Sequence, residues 1–560
     1  MNLVPTQLVR RDPTTSPCRG AIEDSLTRKE AVEPRSPYQL SGLMPPDALK
    51  GLGEAVDCLT AAIRNNASIL IVGDYDADGA TSAAVMMQGL ALLGARSVDY
   101  LIPNRFDMGY GLSPTLAELA LSKDPDLIIT VDQGINSVEG VQRVINAGRS
   151  IIVTDHHLPG KVLPNANAIV NPNQKGCRFP CKTLAGVGVA FYLLIGLRAA
   201  LVKDGTLRRP PNLAQLLDLV ALGTIADLVP LDDNNRRLVQ SGVDRIRRGQ
   251  TRPGILALIA VAGLDPTVIT ARQLAFNIAP RLNAAGRLEE MSAGVACLLA
   301  DADGALKQAQ LLDQYNRSRR EIEETMREQA EDLLGALPDD ELASLMGISL
   351  IEEDWHEGVV GIVAARVRAR YHRPVFAFAR SKSGLIKGSG RSVEGLHLRD
   401  VLALIDADQQ GLLVSYGGHA MAAGVTLRAE DFTIFARQFN AFVDEALEGK
   451  LTTNEIVSEG LVPTMDLGFA ASLVRDHPWG QGFPEPLFDE QFEVLEQRRL
   501  KGGHLKLQLF SKRLGQAVDA IYFGRDQEVE SYQARFAFRL DVNRYRGVDR
   551  VQLQIQNVWS

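Results

Sequence analysis

Ser68-Ile69-Leu70-Ile71-Val72-Gly73-Asp74-Tyr75-Asp76-Ala77-Asp78-Gly79 is an apolar, β-branched-rich run that breaks into three acids within five residues. Its length and its lack of polar alternation predict a strand buried on both faces, with the acids at the carboxyl end. Two further runs repeat the pattern. Ser150-Ile151-Ile152-Val153 leads to Asp155-His156-His157, and Asp126-Leu127-Ile128-Ile129-Thr130-Val131 ends in Asp132-Gln133-Gly134. In open α/β sheets ligands bind at the carboxyl edge, so acids delivered there by three strands can converge on one point. A fourth acid, Asp227, closes the apolar stretch 219–226, where an unpaired carboxylate would be costly to bury. A bound cation resolves that cost. Oxygen donors with imidazole and no thiolate suit Mg²⁺ or Mn²⁺, and the histidines favour Mn²⁺. Each phrase alone is ordinary, a solvated acidic turn or a helix cap; their shared placement at strand ends is what points to a metal site.

The order of these phrases, together with Pro280-Arg281-Leu282-Asn283-Ala284-Ala285-Gly286-Arg287 and Gly417-Gly418-His419-Ala420-Met421-Ala422-Ala423-Gly424, resembles the DHH phosphoesterase superfamily. Within it, the chain is similar to the branch of single-strand-specific 5′→3′ DNA exonucleases. The resemblance runs from about residue 45 onward. Carried over residue by residue, it implies that Asp76, Asp78, Asp132, His156 and Asp227 hold two Mn²⁺ or Mg²⁺ ions. Asp74 and His157 complete the implied catalytic set. Asp74 is a ligand or a hydrogen-bonding support, and His157 is a ligand, a general acid or an orienting group.

Phosphodiester hydrolysis explains why such residue types are needed. The phosphate is a poor electrophile wrapped in negative charge, and two divalent ions about 3.5–4 Å apart activate water, neutralise charge and assist the leaving alkoxide. Carboxylates cannot themselves attract DNA, so separate donors must grip it. Arg281, Asn283 and Arg287 cluster in a Gly- and Ala-rich segment that lets backbone approach a phosphate, and Arg binds phosphate bidentately; the same segment also reads as a capped helix start. Arg391, Ser392, Gly418 and His419 offer a guanidinium, a hydroxyl and exposed amides. The resemblance assigns them the 5′-phosphate end of the strand, with Arg391 and His419 as leading contacts.

Periodicity and composition divide the chain into an α/β protein: two α/β lobes joined by a long helix, plus a C-terminal OB-like β-barrel. Residues 1–44, rich in Pro, Ser, Thr and Arg, read as an extended arm. Residues 45–303 alternate strand-like and helix-like runs, with a strand to Val72 and a helix over 80–93, and form the catalytic lobe with a parallel sheet. Residues 304–340 read as a connecting helix, with Leu312, Tyr315, Ile322, Met326 and Leu333 near helical spacing. A second α/β lobe spans 341–450, and the cleft between lobes is expected to hold the scissile phosphate. Across 451–560, three period-two runs at 505–509, 536–542 and 551–555 predict the barrel. Such barrels bind single strands, and Lys506, Tyr522, Phe523, Arg544 and Tyr545 are contact or core candidates.

Of 560 residues, 46% are hydrophobic, enough for several cores. No apolar run approaches the ~20 residues needed to cross a bilayer, so no membrane role and a cytoplasmic location are expected. Five scattered cysteines fit reduced thiols, and the Cys177, Cys181 pair lacks the partner pair of a zinc site. The net charge of −8 opposes broad coating of duplex DNA but permits a local basic channel.

The resemblance implies hydrolysis of single-stranded DNA with release of 5′-mononucleotides in recombination and repair, with a helicase and a single-stranded-DNA-binding protein as partners. A phosphodiesterase for short oligonucleotides or cyclic dinucleotides would use the same metals without needing the barrel. A non-enzymatic scaffold would lack the full ligand set.

Overall fold

The structure is a computed structural model describing residues 6–27, 37–104, 108–109, 111–381, 384–450, 454–525, 527–545 and 547–559. The chain forms two units, a larger one of residues 10–316 and 458–560 and a smaller one of residues 1–9 and 317–457. The first described strand, β1 (Thr6–Arg10), belongs to a two-stranded sheet.

The larger unit is organised by a parallel sheet of β2 (Ser68–Gly73), β3 (Ser97–Leu101), β4 (Leu127–Val131), β5 (Ser150–Thr154) and β6 (Ala168–Val170), in the order β3-β2-β4-β5-β6. Alternate residues of each apolar run enter different cores. Ile69, Ile71, Ile129 and Ile152 face the helices Ala77–Leu92 and Gly186–Lys203. Leu70, Val72, Ile128, Ile151 and Val153 face Pro114–Leu121 and Val138–Asn146. Both faces are therefore covered, which is why these strands read as continuous hydrophobic runs. Strand order reverses between β2 and β4, so the crevice of this doubly wound sheet opens between their carboxyl ends. Gly186–Lys203 is long and apolar enough to cross a membrane by length and composition, but 67% of it is buried within the protein, where it packs on Ala77–Leu92.

The helix Leu217–Ala226, which ends at Asp227, is anchored at its other end by a buried ion pair. Asp218 accepts from the Arg252 guanidinium at 2.7 Å and from the Thr251 hydroxyl at 2.6 Å.

In the smaller unit, β7 (Ile348–Ile351), β8 (Val375–Arg380), β9 (Leu385–Arg391), β10 (Leu413–Gly418) and β11 (Ala422–Arg428) form one sheet in the order β10-β11-β9-β8-β7. Only the β7–β8 pair is parallel. Its core is aromatic, with Phe376 packed edge-on against Phe435 and Phe439. The boundary between units falls inside the 34-residue helix Ala302–Gly335.

Strand β12 (Asn454–Ser458) pairs with β1, and beyond it lies a closed barrel of β13 (Phe488–Leu500), β14 (His504–Ser511), β15 (Gln516–Tyr522), β16 (Gln533–Tyr545) and β17 (Val548–Trp559). The order is β13-β14-β15-β17-β16, with β15 and β17 parallel. Closure through that pair leaves no free edge. Phe488, Phe492, Phe536 and Phe538 fill its interior.

The N-terminal segment differs from an extended arm. A helix, Arg19–Thr27, packs on Leu467–Arg475, with Cys18, Ala21 and Ser25 buried. The buried ring of His477 meets the Ser25 hydroxyl at 3.1 Å and the Tyr38 hydroxyl at 3.0 Å. The polar composition concealed a short apolar face, and what covers that face lies near the far end of the sequence.

Asp218→Ala would strand the Arg252 charge in the core, and it is expected to destabilise the larger unit by about 3–5 kcal/mol, read as a lower urea midpoint. Asp218→Asn, which retains acceptor capacity, is expected to lose less.

Candidate metal centre

The end of β2 delivers the first acids. Asp76 is the N-cap of Ala77–Leu92, its Oδ1 accepting from the Asp78 amide at 2.9 Å and the Gly79 amide at 3.1 Å. Asp78, one residue into the helix, is 1% exposed. Its two oxygens accept from the amides of Gly186 and Val187, at 2.6 and 3.0 Å, at the N-terminus of Gly186–Lys203. That positive helix end partly offsets the cost of burying the carboxylate.

Strand β4 delivers Asp132, buried and held at φ +61°, a left-handed conformation that turns its side chain back over the sheet edge. A Cβ at Gly186 would lie 2.5 Å from Asp132 Oδ1, so only glycine lets this helix start approach the carboxylate. Gln133 ties the two strand ends together by donating to the carbonyls of Val72 and Gly73, at 3.2 and 2.7 Å.

After β5, Asp155 accepts from the amides of His156 and His157 at 2.7 and 3.0 Å, from the Ile135 amide at 2.9 Å, and pairs with His157 Nδ1 at 2.7 Å. Asn173 and Asn171 secure the same turn by donating to the carbonyls of His156 and His157. Asp227 follows the last residue of Leu217–Ala226.

These elements bring all seven predicted catalytic residues to one place. Three sets of side chains each offer ligand atoms within 4.8 Å of one another: Asp132, His156 and His157; Asp78, His156 and Asp227; Asp74, Asp76 and Asp132. His156 Nε2 lies 3.2 Å from Asp132 Oδ1 and 3.5 Å from Asp227 Oδ2. Both Nε2 of His156 and Oδ1 of Asp132 are buried without a hydrogen bond. Two buried acceptor atoms 3.2 Å apart with no donor between them fit joint ligation of one cation.

The electrostatics agree. Burial, then the charge of Asp76, pushes Asp78 up to about 7. Burial and the neighbouring carboxylates raise Asp132 and Asp227 well above the usual range. Burial and the charge of His157 lower His156 to about 4, so its imidazole is neutral and able to act as a ligand. His157 moves the other way: burial disfavours its charge, but the Asp155 hydrogen bond and charge, with Asp74 and Asp76, outweigh it.

The predicted phosphate donors divide. Arg281 is 8% exposed and committed to Asp313, its Nε at 2.9 Å and Nη2 at 2.8 Å, while its Nη1 bonds the Asn277 carbonyl. Asn283 accepts from the Ala77 amide at 2.8 Å, bracing the acidic turn. Arg287 is half-buried on the same helix, Ala279–Leu288. In the smaller unit, Arg391 donates to the Ser389 hydroxyl at 3.2 Å and the Gly390 carbonyl at 2.8 Å. The buried Ser392 hydroxyl donates to Leu396 O. Gly418 is exposed at the end of edge strand β10, at φ +137°, and the exposed His419 follows it. In the barrel, Phe523 is 53% exposed, Lys506 and Arg544 pair with Asp519 and Asp549, and the Tyr522 hydroxyl donates to Gln556 O; the Tyr545 side chain lies outside the described residues. Sequence reasoning missed the holding roles of Asp155, Asn171, Asn173 and Gln133. Gln133 stands beside an acidic phrase and Asp155 within one, whereas Asn171 and Asn173 lie 14 and 17 residues beyond the histidines they hold and carry no such signal.

Comparison with known proteins agrees with this arrangement. Residues 68–224 match the model of the DHH family N-terminal domain, residues 343–448 the DHHA1 domain, and residues 462–557 the RecJ OB domain. Single-stranded-DNA-specific exonuclease RecJ of Escherichia coli (strain K12) is 46% identical over 531 residues, covering 93% of this chain and 92% of that one. RecJ of Thermus thermophilus is 35% identical over 497 residues, covering 87% and 67%. The crystal structure of the Thermus protein in complex with Mn²⁺ superposes with a TM-score of 0.79 at 30% identity, covering all of this chain and 80% of that one; its complex with Mg²⁺ gives 0.72 at 29%. Identity at this level across nearly the whole length, with all three domain models matched along the chain, means that the chain belongs to the RecJ family.

Proposed function

We propose that this chain hydrolyses single-stranded DNA from the 5′ end, releasing 5′-mononucleotides, with two Mn²⁺ or Mg²⁺ ions held by Asp76, Asp78, Asp132, His156 and Asp227. The observation that carries the reading is the 3.2 Å approach of the buried His156 Nε2 and Asp132 Oδ1 inside an excess of carboxylates. Bound divalent ions would supply Lewis acidity and neutralise phosphate charge.

The side chains prepare the site for them. The Gly186 and Val187 amides fix both oxygens of Asp78, so its direction is set before substrate arrives. His156 keeps a lone pair at Nε2 because burial suppresses its protonation. Asp155 engages Nδ1 of His157 and favours the imidazolium, which leaves Nε2 able to give a proton to the departing alkoxide. Because Arg281 is committed to Asp313, the phosphate grip on the Ala279–Leu288 helix falls to Arg287, with Asn283 holding the acidic turn. Arg391 and His419 take the 5′-phosphate, while Ser392 and Gly418 shape the loops that carry them.

The closed barrel supports a single strand rather than a short oligonucleotide as substrate. Such a strand arises at overhangs or behind a helicase, so a helicase and a single-stranded-DNA-binding protein are the partners, in the cytoplasm, during recombination and repair.

End-labelled DNA tests the reading. Single strands carrying a 5′ label are expected to lose it at once as mononucleotide, 3′-labelled strands to shorten progressively, and duplexes to persist. Asp132→Ala is expected to abolish all cleavage with an unchanged circular dichroism spectrum. Turnover confined to dinucleotides or cyclic dinucleotides would overturn the assignment.

Asp155→Asn withdraws the charge that supports the His157 proton, and it is expected to lower kcat about 10–100-fold and to move the alkaline limb of the pH–rate profile to lower pH.

Metal-free protein has a defined pH dependence. Folded Asp78 keeps its proton up to about pH 7, whereas an unfolded aspartate releases it near pH ~4. The folded state thus binds more protons across that window, and the melting temperature is expected to fall as pH rises through it. Mn²⁺ is expected to reverse the trend, because it binds the deprotonated cluster.

A further inference from the structure

The loop that carries Asp227 is strained on one side and braced on the other. Its start is tied to the helix by the Asp227 amide, which donates to Gly223 O at 3.0 Å. The next residue, Leu228, sits at φ +60° with 62% of its surface exposed, a conformation that an L side chain resists and that persists only where the surroundings impose it. Something further along must hold the loop.

That support comes from the segment leading into the barrel. Residues 480–483 form a tight turn closed by two bonds, the Gly480 amide to Phe483 O at 2.9 Å and the Phe483 amide to Gly480 O at 3.1 Å. The Gln481 carbonyl at its tip accepts from the Leu231 amide at 2.7 Å. A Cβ at Gly480 would lie 2.7 Å from Leu231 Cδ1 and 3.6 Å from Ile225 Cδ1, and one at Gly482 would lie 3.3 Å from Pro230 Cβ. Leu231 is buried, so the methyl that the 2.7 Å approach strikes must move within packed surroundings. The turn is itself fixed, because Phe483 stacks on Trp479 at 4.6 Å and lies under the Arg236 guanidinium at 4.5 Å.

We infer that the turn 480–483 is a positioning element for Asp227, so that the docking of the barrel segment sets the geometry of the metal centre. Gly480 and Gly482 touch neither metal nor DNA in this role; they act through Leu231 and Pro230, while Phe483 fixes the turn. The inference rests on Asp227 as a metal ligand.

The test is a bump and its relief in the full chain. Gly480→Ala places a methyl against Leu231, and Leu231→Val in the same protein removes the methyl it strikes. Mn²⁺ affinity is measured by titration calorimetry without DNA, and kcat and KM on 5′-phosphorylated single strands. The expected result for Gly480→Ala is about tenfold weaker Mn²⁺ binding and a lower kcat with KM unchanged, both recovered in the double variant. Wild-type Mn²⁺ affinity in Gly480→Ala, a loss that Leu231→Val does not relieve, or a rise confined to KM would overturn the inference. Should Gly480→Ala not fold, Phe483→Leu, which keeps an apolar side chain but removes the ring stacked on Trp479 and lying beneath Arg236, is read by the same two measurements. Asp227→Ala separates the two layers of argument. If it binds Mn²⁺ as tightly as the wild type, Asp227 is not a ligand, whatever Gly480 does.

Discussion

Like charges held together in a buried place are the constraint on which this molecule turns. Asp74, Asp78 and Asp132 are almost wholly buried, Asp76 and Asp227 are partly so, and all converge where strand order reverses. Without a cation they oppose one another, and the raised pKa values of Asp78, Asp132 and Asp227 express that opposition. Much of the surrounding architecture serves to withstand it. A helix N-terminus meets Asp78, a helix cap employs Asp76, Gly186 yields space to Asp132, and Asn283 holds the acidic turn from behind. The energetic outlay falls on folding, which sets the side chains in place beforehand.

The sheet and its acids were legible because burial on both faces leaves a plain signature. Uninterrupted runs ending in Asp74, Asp132 and Asp155 placed three strands and the edge where they act, and alternation at 505–509, 536–542 and 551–555 marked three barrel strands. Ends were less legible, because side chains decide them. The helix expected from residue 80 begins at Ala77 since Asp76 caps it, and the strand expected from 126 begins at Leu127 since Asp126 accepts from the Ser68 amide.

Pairings distant in sequence were not legible. Arg281 has the composition of a phosphate ligand, and what commits it is Asp313, 32 residues on. The N-terminal helix hides among polar residues and is stabilised by a surface near His477. Asp155 reads as part of the histidine motif, yet its oxygens hold the turn and orient one ring rather than joining the metal-facing set. In each case the residue type was visible and its partner was not.

The larger unit is discontinuous in sequence, its two portions separated by residues 317–457, which form most of the smaller unit. On the ribosome this imposes an order of events. The parallel sheet can assemble from the first portion alone, whereas Cys18, Ala21 and Ser25 stay uncovered until the helix Leu467–Arg475 has been made. Domains ordinarily fold as units in order of synthesis, but here an entire second domain must emerge before the first is finished. A newly made chain therefore carries its acidic cluster for some time before the barrel segment has docked beside Asp227. The bond from the Leu231 amide to the Gln481 carbonyl, four residues beyond Asp227, thus forms only after the intervening unit has been made.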